Sequence, residues 1–236
     1  MAYPIRLFAL IVIAITCTQV FAAANEKLDY FVFLVTGKST QGTAAEEVQK
    51  MQAAHLENFG RLAKVGDLSA AGPCADPEKI VRGIVVIKAT SLADAESKFE
   101  PDPYVGQGFM KTEIHQYRAV AGKLVIPAET SKMEKSFIVI VSQGEKWPAE
   151  VARQQAMRNE LEEFSTKQHA AKKLGFAAIF GEQANTKSPR LAVLIFRGDD
   201  LEVVEKLIGE QAAVKDKVVR FQVFAQYLVK DAMPSE

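Results

Sequence analysis

The sequence is poor in the residues that identify many classes of protein. Its 236 residues include 2 cysteines, 3 histidines and 1 tryptophan, and its formal net charge is zero. Without an excess of positive charge, neither a nucleic acid nor an anionic membrane surface is expected as a partner. No glycine-rich phosphate loop follows a predicted strand, and no two histidines have the spacing of a metal site. We therefore expect neither a nucleotide, nor another cofactor, nor a metal.

Long hydrophobic runs are absent except near the N-terminus. Residues 7–16 form an apolar run that follows Arg6 and precedes a stretch of small residues at 21–24, which is typical of a signal peptide. The run is much shorter than the ~20 residues of a membrane-spanning helix. We predict removal of residues 1–24, with cleavage within residues 22–25, and a periplasmic or secreted mature protein without stable membrane insertion.

The predicted cleavage changes what can stabilise the chain. It removes Arg6 and Cys17 but no acidic residue, so 28 of the 29 basic residues remain against 29 acidic residues. Cys74 is then the one cysteine left, which excludes an internal disulfide. Since 48% of the residues are hydrophobic, apolar packing must supply the stability.

The rest of the chain contains one pattern of predicted elements twice. Each half is predicted to run strand, helix, strand, strand, helix, strand, and the matching segments are separated by 106 to 110 residues. We predict that the first long helix of each half ends at a glycine, at Gly66 and at Gly175. This order of elements is that of the ferredoxin-like, or split βαβ, unit.

The two units predict the fold class and the domain organisation. We expect an α+β fold with two ferredoxin-like domains, residues 28–126 and 136–230, joined by a polar linker at residues 127–135. Helices cover one face of each sheet, so the other face must be buried. Because the second unit is covalently attached, we expect the two sheets to pack face to face as an intrachain dimeric α/β barrel. The sequence makes no prediction about association beyond this pseudo-dimer.

Five short strings follow one another in the first half. They are Ala54-His55-Leu56, Gly66-Asp67-Leu68, Ala71-Gly72-Pro73, residues 91–95 and Asp102-Pro103-Tyr104-Val105. In this order and spacing the first half, about residues 29–120, resembles the YCII-related domain family, small proteins that usually form dimeric α/β barrels. The resemblance implies that His55 and Asp102 form a catalytic pair, bordered by the bend at Gly72 and Pro73.

The second half departs from the family's pattern at both members of this pair. The running offset aligns Phe164 with His55 and Gln211 with Asp102. The resemblance therefore implies one site, in the first half, with the second half retained as a scaffold.

The residues of the pair also have structural interpretations. Val48, Met51, His55, Phe59 and Leu62 share one face of the predicted helix, so His55 is either a core residue or an acid/base held by a carboxylate. Asp102 is either that carboxylate or the cap of a short helical turn.

Three other residues are candidates for the site or its surroundings. Tyr104 places either its hydroxyl in the site or its ring in the core. We expect His169 to face solvent, because it lies off the apolar stripe. His115 is expected either to line a cavity or to face the partner sheet.

Two functions of different classes fit these observations. The first is a small, cofactor-independent acid/base enzyme of the lyase, isomerase or dehydrohalogenase type, acting on a small carbonyl-bearing or aromatic substrate through His55 and Asp102. The alternative is a non-catalytic protein that binds a small molecule or has a stress-related or structural role.

Overall fold

The computed structural model describes residues 26–198 and 200–234. The predicted signal peptide therefore lies outside the described residues. Within these residues, no helix combines the length and the apolar composition that a membrane-spanning helix needs.

The first half runs from β1 to β4. Its elements are β1 (Leu28–Thr36), α1 (Ala45–Lys64), β2 (Leu68–Pro73), β3 (Val81–Ala89), α2 (Leu92–Ser97), α3 (Pro103–Gly106) and β4 (Met110–Gly122). The second half has the same order of elements. Its elements are β5 (Met133–Gln143), α4 (Val151–Ala170), β6 (Leu174–Ala184), β7 (Arg190–Phe196), α5 (Leu201–Gly209), α6 (Ala212–Lys215) and β8 (Val219–Val229). The strand β5 begins three residues inside the segment that the sequence suggests as a linker.

The composition of β1 explains its central position in the first sheet. Its aromatic and β-branched residues favour extended backbone, and both of its faces are buried. One face packs under the helices through Tyr30, Val32 and Leu34. The other packs inside the barrel through Phe31, Phe33 and Val35. A strand buried on both faces shows no polar alternation, which is why its run of six apolar residues is continuous.

The eight strands form one antiparallel sheet that joins the two halves. The strand order is β2-β3-β1-β4-β6-β7-β5-β8, so each half keeps the ferredoxin-like order and β4 pairs with β6 across the halves. The two outer strands approach each other through a bridge between Cys74 and Gln226 and a hydrogen bond from Ala75 N to Ala225 O. The sheet thus curls into a barrel, and the predicted α+β fold with two ferredoxin-like units is confirmed.

The barrel interior is a packed core to which both halves contribute. Phe31 and Phe33 of the first half contact the ring of Phe180 of the second half at centroid distances of 5.8 Å and 5.9 Å. Aliphatic residues of β5 and β7, including Ile138 and Ile195, complete the same cluster. Burial of aromatic side chains from both sheets stabilises the two halves as one body.

The end of the long helix in the second half differs from the prediction. Helix α4 ends at Ala170, and Lys172 rather than Gly175 takes the left-handed conformation, with a φ of 59°. Gly175 instead lies in β6, where a β-carbon would meet the sulfur of Met233 at 2.4 Å. Gly175 therefore packs closely against Met233, and its assignment to the helix end was wrong.

This shift changes which residues correspond between the halves. Helices α1 and α4 both have 20 residues, so His55, the eleventh residue of α1, corresponds to Leu161 rather than to Phe164. The pairing of Asp102 with Gln211 remains, because each is the N-cap of a four-residue helix, α3 or α6.

Candidate active site

The two residues of the suggested pair lie in contact, although 47 positions separate them in the sequence. Helix α1 carries His55 on the face that packs against the protein, and Asp102 precedes α3. The Nδ1 of His55 lies 2.6 Å from the Oδ2 of Asp102. His55 is 7% exposed and Asp102 is fully buried. A hydrogen bond this short, out of water and to a carboxylate, belongs to the stronger class of hydrogen bonds.

Asp102 is fixed by its own backbone context as well as by His55. It is the N-cap of α3, and its Oδ1 accepts a hydrogen bond from the backbone N–H of Tyr104 at 3.0 Å. Pro103 at the first helical position favours this start. One carboxylate oxygen therefore caps the helix while the other contacts His55, so the cap and the contact do not exclude each other.

Two aromatic rings flank the imidazole of His55. The ring of Phe59, one turn further along α1, lies 4.4 Å away, and the ring of Tyr104 lies 5.5 Å away, both edge to face. The hydroxyl of Tyr104 donates a hydrogen bond to the carbonyl of Val48 at 3.4 Å. Tyr104 thus belongs both to the core and to the wall beside His55. These contacts restrict rotation of the imidazole.

The second ring nitrogen of His55 is the reactive candidate. Nε2 has no hydrogen-bond partner among residues 26–198 and 200–234. If Nδ1–H donates to Asp102, the neutral ring carries its lone pair on Nε2. The arrangement can accept a proton at Nε2 and stabilise the resulting imidazolium through the Asp102 carboxylate.

Gly72 and Pro73, which the resemblance places at the border of the site, lie at the end of β2. Gly72 packs against β8, where a β-carbon would lie 1.8 Å from the backbone oxygen of Tyr227. Pro73 is exposed at the end of β2. Among the described residues, no hydrogen bond or ring contact joins Gly72 or Pro73 to His55 or Asp102.

The other two histidines are held elsewhere. His115 is 2% exposed inside the barrel, where its ring stacks on that of Phe180 with the centroids 4.5 Å apart. It therefore faces the partner sheet, which is one of the two positions predicted for it. Burial lowers the pKa of His115 to about 4. The Nδ1–H of His169 donates to the carbonyl of Leu174 at 2.9 Å, and the residue is half-buried rather than facing solvent.

The remaining thiol is also part of the barrel rather than of the site. Cys74 packs against the interior cluster and forms the bridge to β8. Burial raises the pKa of the Cys74 thiol to about 12, so little thiolate is present near neutral pH. Between residues 26 and 234, leaving out 199, no three His, Cys, Asp or Glu side chains are grouped as a metal site would need.

Asn58 is a residue near the pair that sequence reasoning missed. It lies one turn after His55 on the same buried face, and its side-chain amide donates to the carbonyl of Lys98 at 3.1 Å. Arg61 donates in turn to the side-chain oxygen of Asn58 at 2.8 Å. These bonds attach α1 to the end of α2. They therefore restrict movement of α1 along its axis, and of His55 with it. The signal in the sequence was the three-residue spacing from His55.

Comparison with known proteins locates the family in the first half. Residues 30–118 match the family model of the YCII-related domain. This range runs from within β1 to within β4 and includes His55 and Asp102. The sequence matches none of the curated proteins with which it was compared.

Comparison with solved structures extends over both halves. A chlorite dismutase variant from Candidatus Nitrospira defluvii in complex with cyanide is 10% identical, with a TM-score of 0.52 over 86% of this chain and 92% of that one. A second variant of that protein has a TM-score of 0.52, at 10% identity over 88% and 94%. A predicted monooxygenase from Fusobacterium nucleatum subsp. nucleatum has a TM-score of 0.51, at 7% identity over 86% and 92%. At these identities the likeness shows the fold alone.

Fold and comparisons together define the class of the protein. It has the two-unit α/β barrel architecture that is found among enzymes such as chlorite dismutase. Its residues 30–118 match the family model of the YCII-related domain, in agreement with the resemblance seen in the sequence.

Proposed function

We propose that the protein is an acid/base enzyme that uses His55 as the proton-transferring group and Asp102 as its orienting partner. The observation that carries the proposal is the 2.6 Å contact between His55 Nδ1 and the buried Oδ2 of Asp102. The second oxygen of Asp102 accepts a hydrogen bond from the backbone of α3, which favours the orientation of the carboxylate toward the imidazole. A histidine with one nitrogen fixed in this way has the other available for chemistry.

The reaction class follows from what the pair can and cannot do. Nε2 of His55 would remove a proton from the carbon next to a carbonyl group, and the imidazolium would return that proton to another carbon or to a leaving group. Isomerase, lyase and dehydrohalogenase steps need this and no covalent nucleophile. The rings of Phe59 and Tyr104 beside His55 suit a small carbonyl-bearing or aromatic substrate.

The location of the activity is part of the proposal. The apolar run at residues 7–16 and the small residues at 21–24 support export and cleavage, and thus action on an extracytoplasmic substrate. The second half would then support the barrel, since Leu161 and Gln211 stand where the first half has His55 and Asp102.

Proton exchange tests the proposal without knowledge of the net reaction. The protein is incubated in D₂O with a panel of small 2-oxo acids, lactones and 2-halo acids, and loss of the α-proton signal is followed by ¹H NMR. We expect catalysed exchange of at least one compound. We expect His55→Gln to slow this exchange by about 100-fold or more, because general base catalysis contributes about 10²–10⁴-fold.

His169→Gln is the matched control, since it removes another histidine that bonds to a neighbouring group outside the pair. It should keep the wild-type exchange rate. Exchange that survives in folded His55→Gln would contradict the role of His55. Absence of exchange across the whole panel would favour the alternative, a barrel that binds a small molecule without transforming it.

A further inference from the structure

A cavity lies in the second half at the place that corresponds to the His55 site. It occupies about 180 Å³ between helix α4, the α5–α6 segment and the outer face of the second sheet. Its walls are largely apolar and include three aromatic rings. The main lining residues are Trp147, Met157, Leu161, Phe164, Val214 and Phe221.

The cavity exists because the second half lacks a large side chain that the first half has. Tyr104 follows the N-cap Asp102 by two residues, and Ala213 follows the N-cap Gln211 by two residues. In the first half the ring of Tyr104 packs with Met51 and Phe109 in a small buried cluster. In the second half Ala213 lines the cavity in place of that ring.

The surrounding chain does not fill the space that the missing ring leaves. Met157, Leu161 and Phe164 of α4 line the cavity, and all three remain half-buried. The buried residues of α4 are Ser165 and Gln168, near its C-terminal end. At the floor of the cavity, Leu194 and Ile208 are buried. Apolar wall atoms that face empty space lack van der Waals partners, and a ligand of matching shape supplies them.

We propose that this cavity is a second binding site, which takes a small aromatic molecule of one or two fused rings. An engineered cavity of about 150 Å³ lined by apolar residues binds benzene, so a volume of about 180 Å³ suits a ligand of that size or slightly larger. The rings of Trp147, Phe164 and Phe221 offer edge-to-face contacts, and the thioether of Met157 offers a sulfur–aromatic contact.

Three polar side chains at the cavity limit what else it accepts. Arg158 uses one guanidinium nitrogen to donate to the carbonyl of Phe180 at 2.9 Å, and its other N–H groups can meet a hydrogen-bond acceptor on the ligand. The amide nitrogen of Gln211 donates to the carbonyl of Leu207 at 2.8 Å. Glu160 also lines the cavity and disfavours a ligand of high negative charge. This inference does not rest on the function proposed for His55.

The one tryptophan of the chain makes the site directly observable. Trp147 lines the cavity, so its fluorescence reports on occupation. Toluene is a suitable probe because it does not absorb at the excitation wavelength of tryptophan at 295 nm. We expect toluene to change the Trp147 emission saturably, and at ten times its Kd to raise the Tm by roughly 3 °C.

Two cavity-filling variants test whether toluene binds in this cavity. Ala213→Tyr restores the side chain of the first half, and Leu161→Phe fills the same space from α4, so at least one folded variant should be obtained. Each should weaken toluene binding by tenfold or more. Ala152→Tyr, on the exposed start of α4, is the matched control and should keep the wild-type affinity. Absence of both effects up to the solubility of toluene would overturn the proposal, as would binding that both filling variants retain.

Discussion

Replacing Gly72 by alanine should destabilise the protein by about 3 kcal/mol or more, although the change adds one methyl group. The β-carbon would lie 1.8 Å from the backbone oxygen of Tyr227 and 3.2 Å from a methyl carbon of Leu228. A backbone atom cannot rotate away as a side chain can, so β2 must move from β8. This would open the barrel at the contact where its outer strands meet. Overpacking costs about 1–3 kcal/mol even where side chains can adjust.

Gly60→Ala is the matched control for this prediction. Gly60 lies within α1 and is exposed, and no atom lies within 4 Å of a β-carbon built there. Since alanine favours helix over glycine by about 1 kcal/mol, Gly60→Ala should stabilise the protein by that amount. Urea denaturation of both variants measures the two effects. If the free energy of unfolding of Gly72→Ala lies within about 0.5 kcal/mol of the wild-type value, the barrel is not closed at this position.

His115 should make the protein about 3 kcal/mol less stable at pH 4 than at pH 7. Burial lowers its pKa to about 4 in the folded protein, against about 6.5 in the unfolded chain. Between these values the unfolded chain binds a proton that the folded protein does not. The stability is therefore complete above pH 6.5 and is lost as the pH falls toward 4. The residue is 2% exposed, so solvent screens this effect little.

The variant His115→Phe isolates this contribution from that of the carboxylates. A phenyl ring can keep the stacking on Phe180 and removes the buried Nε2, which has no hydrogen-bond partner among the described residues. The free energy of unfolding of the variant should rise by about 3 kcal/mol relative to that of the wild type as the pH falls from 7 to 4. Tyr117→Phe, two residues along the same face of β4, is the control and should follow the wild-type curve. If the free energy of unfolding varies with pH in the same way for wild type and His115→Phe, then His115 is accessible to protons in the folded state.

Much of the fold could be predicted because its signals are local. The continuous apolar run of β1 and the repeated order of elements required two sheets, each with an apolar face to bury. The polar linker and the single chain then favoured packing of one half on the other. The exact helix ends were less predictable, because a lysine, Lys172, takes a conformation that glycine adopts more easily.

The candidate site was predictable in part. The contact of His55 with Asp102 followed from the family resemblance, since no local pattern connects residues 47 positions apart. The place of Gly72 did not follow, because its neighbour Tyr227 lies in the other half. The cavity near Ala213 could not be foreseen either, since it depends on a side chain that is absent. Sequence patterns report which groups are present, while packing decides what surrounds them.

The protonated nitrogen of His55 tests the central claim most directly. Two-bond ¹H–¹⁵N correlation spectra, recorded at a pH where the ring is neutral, distinguish Nδ1–H from Nε2–H. His169 is an internal reference, because its contact with the carbonyl of Leu174 requires Nδ1–H. We predict Nδ1–H for His55 in the wild type and loss of this preference in Asp102→Asn. An Nε2–H tautomer in the wild type, or no change in the variant, would contradict the pairing of His55 with Asp102.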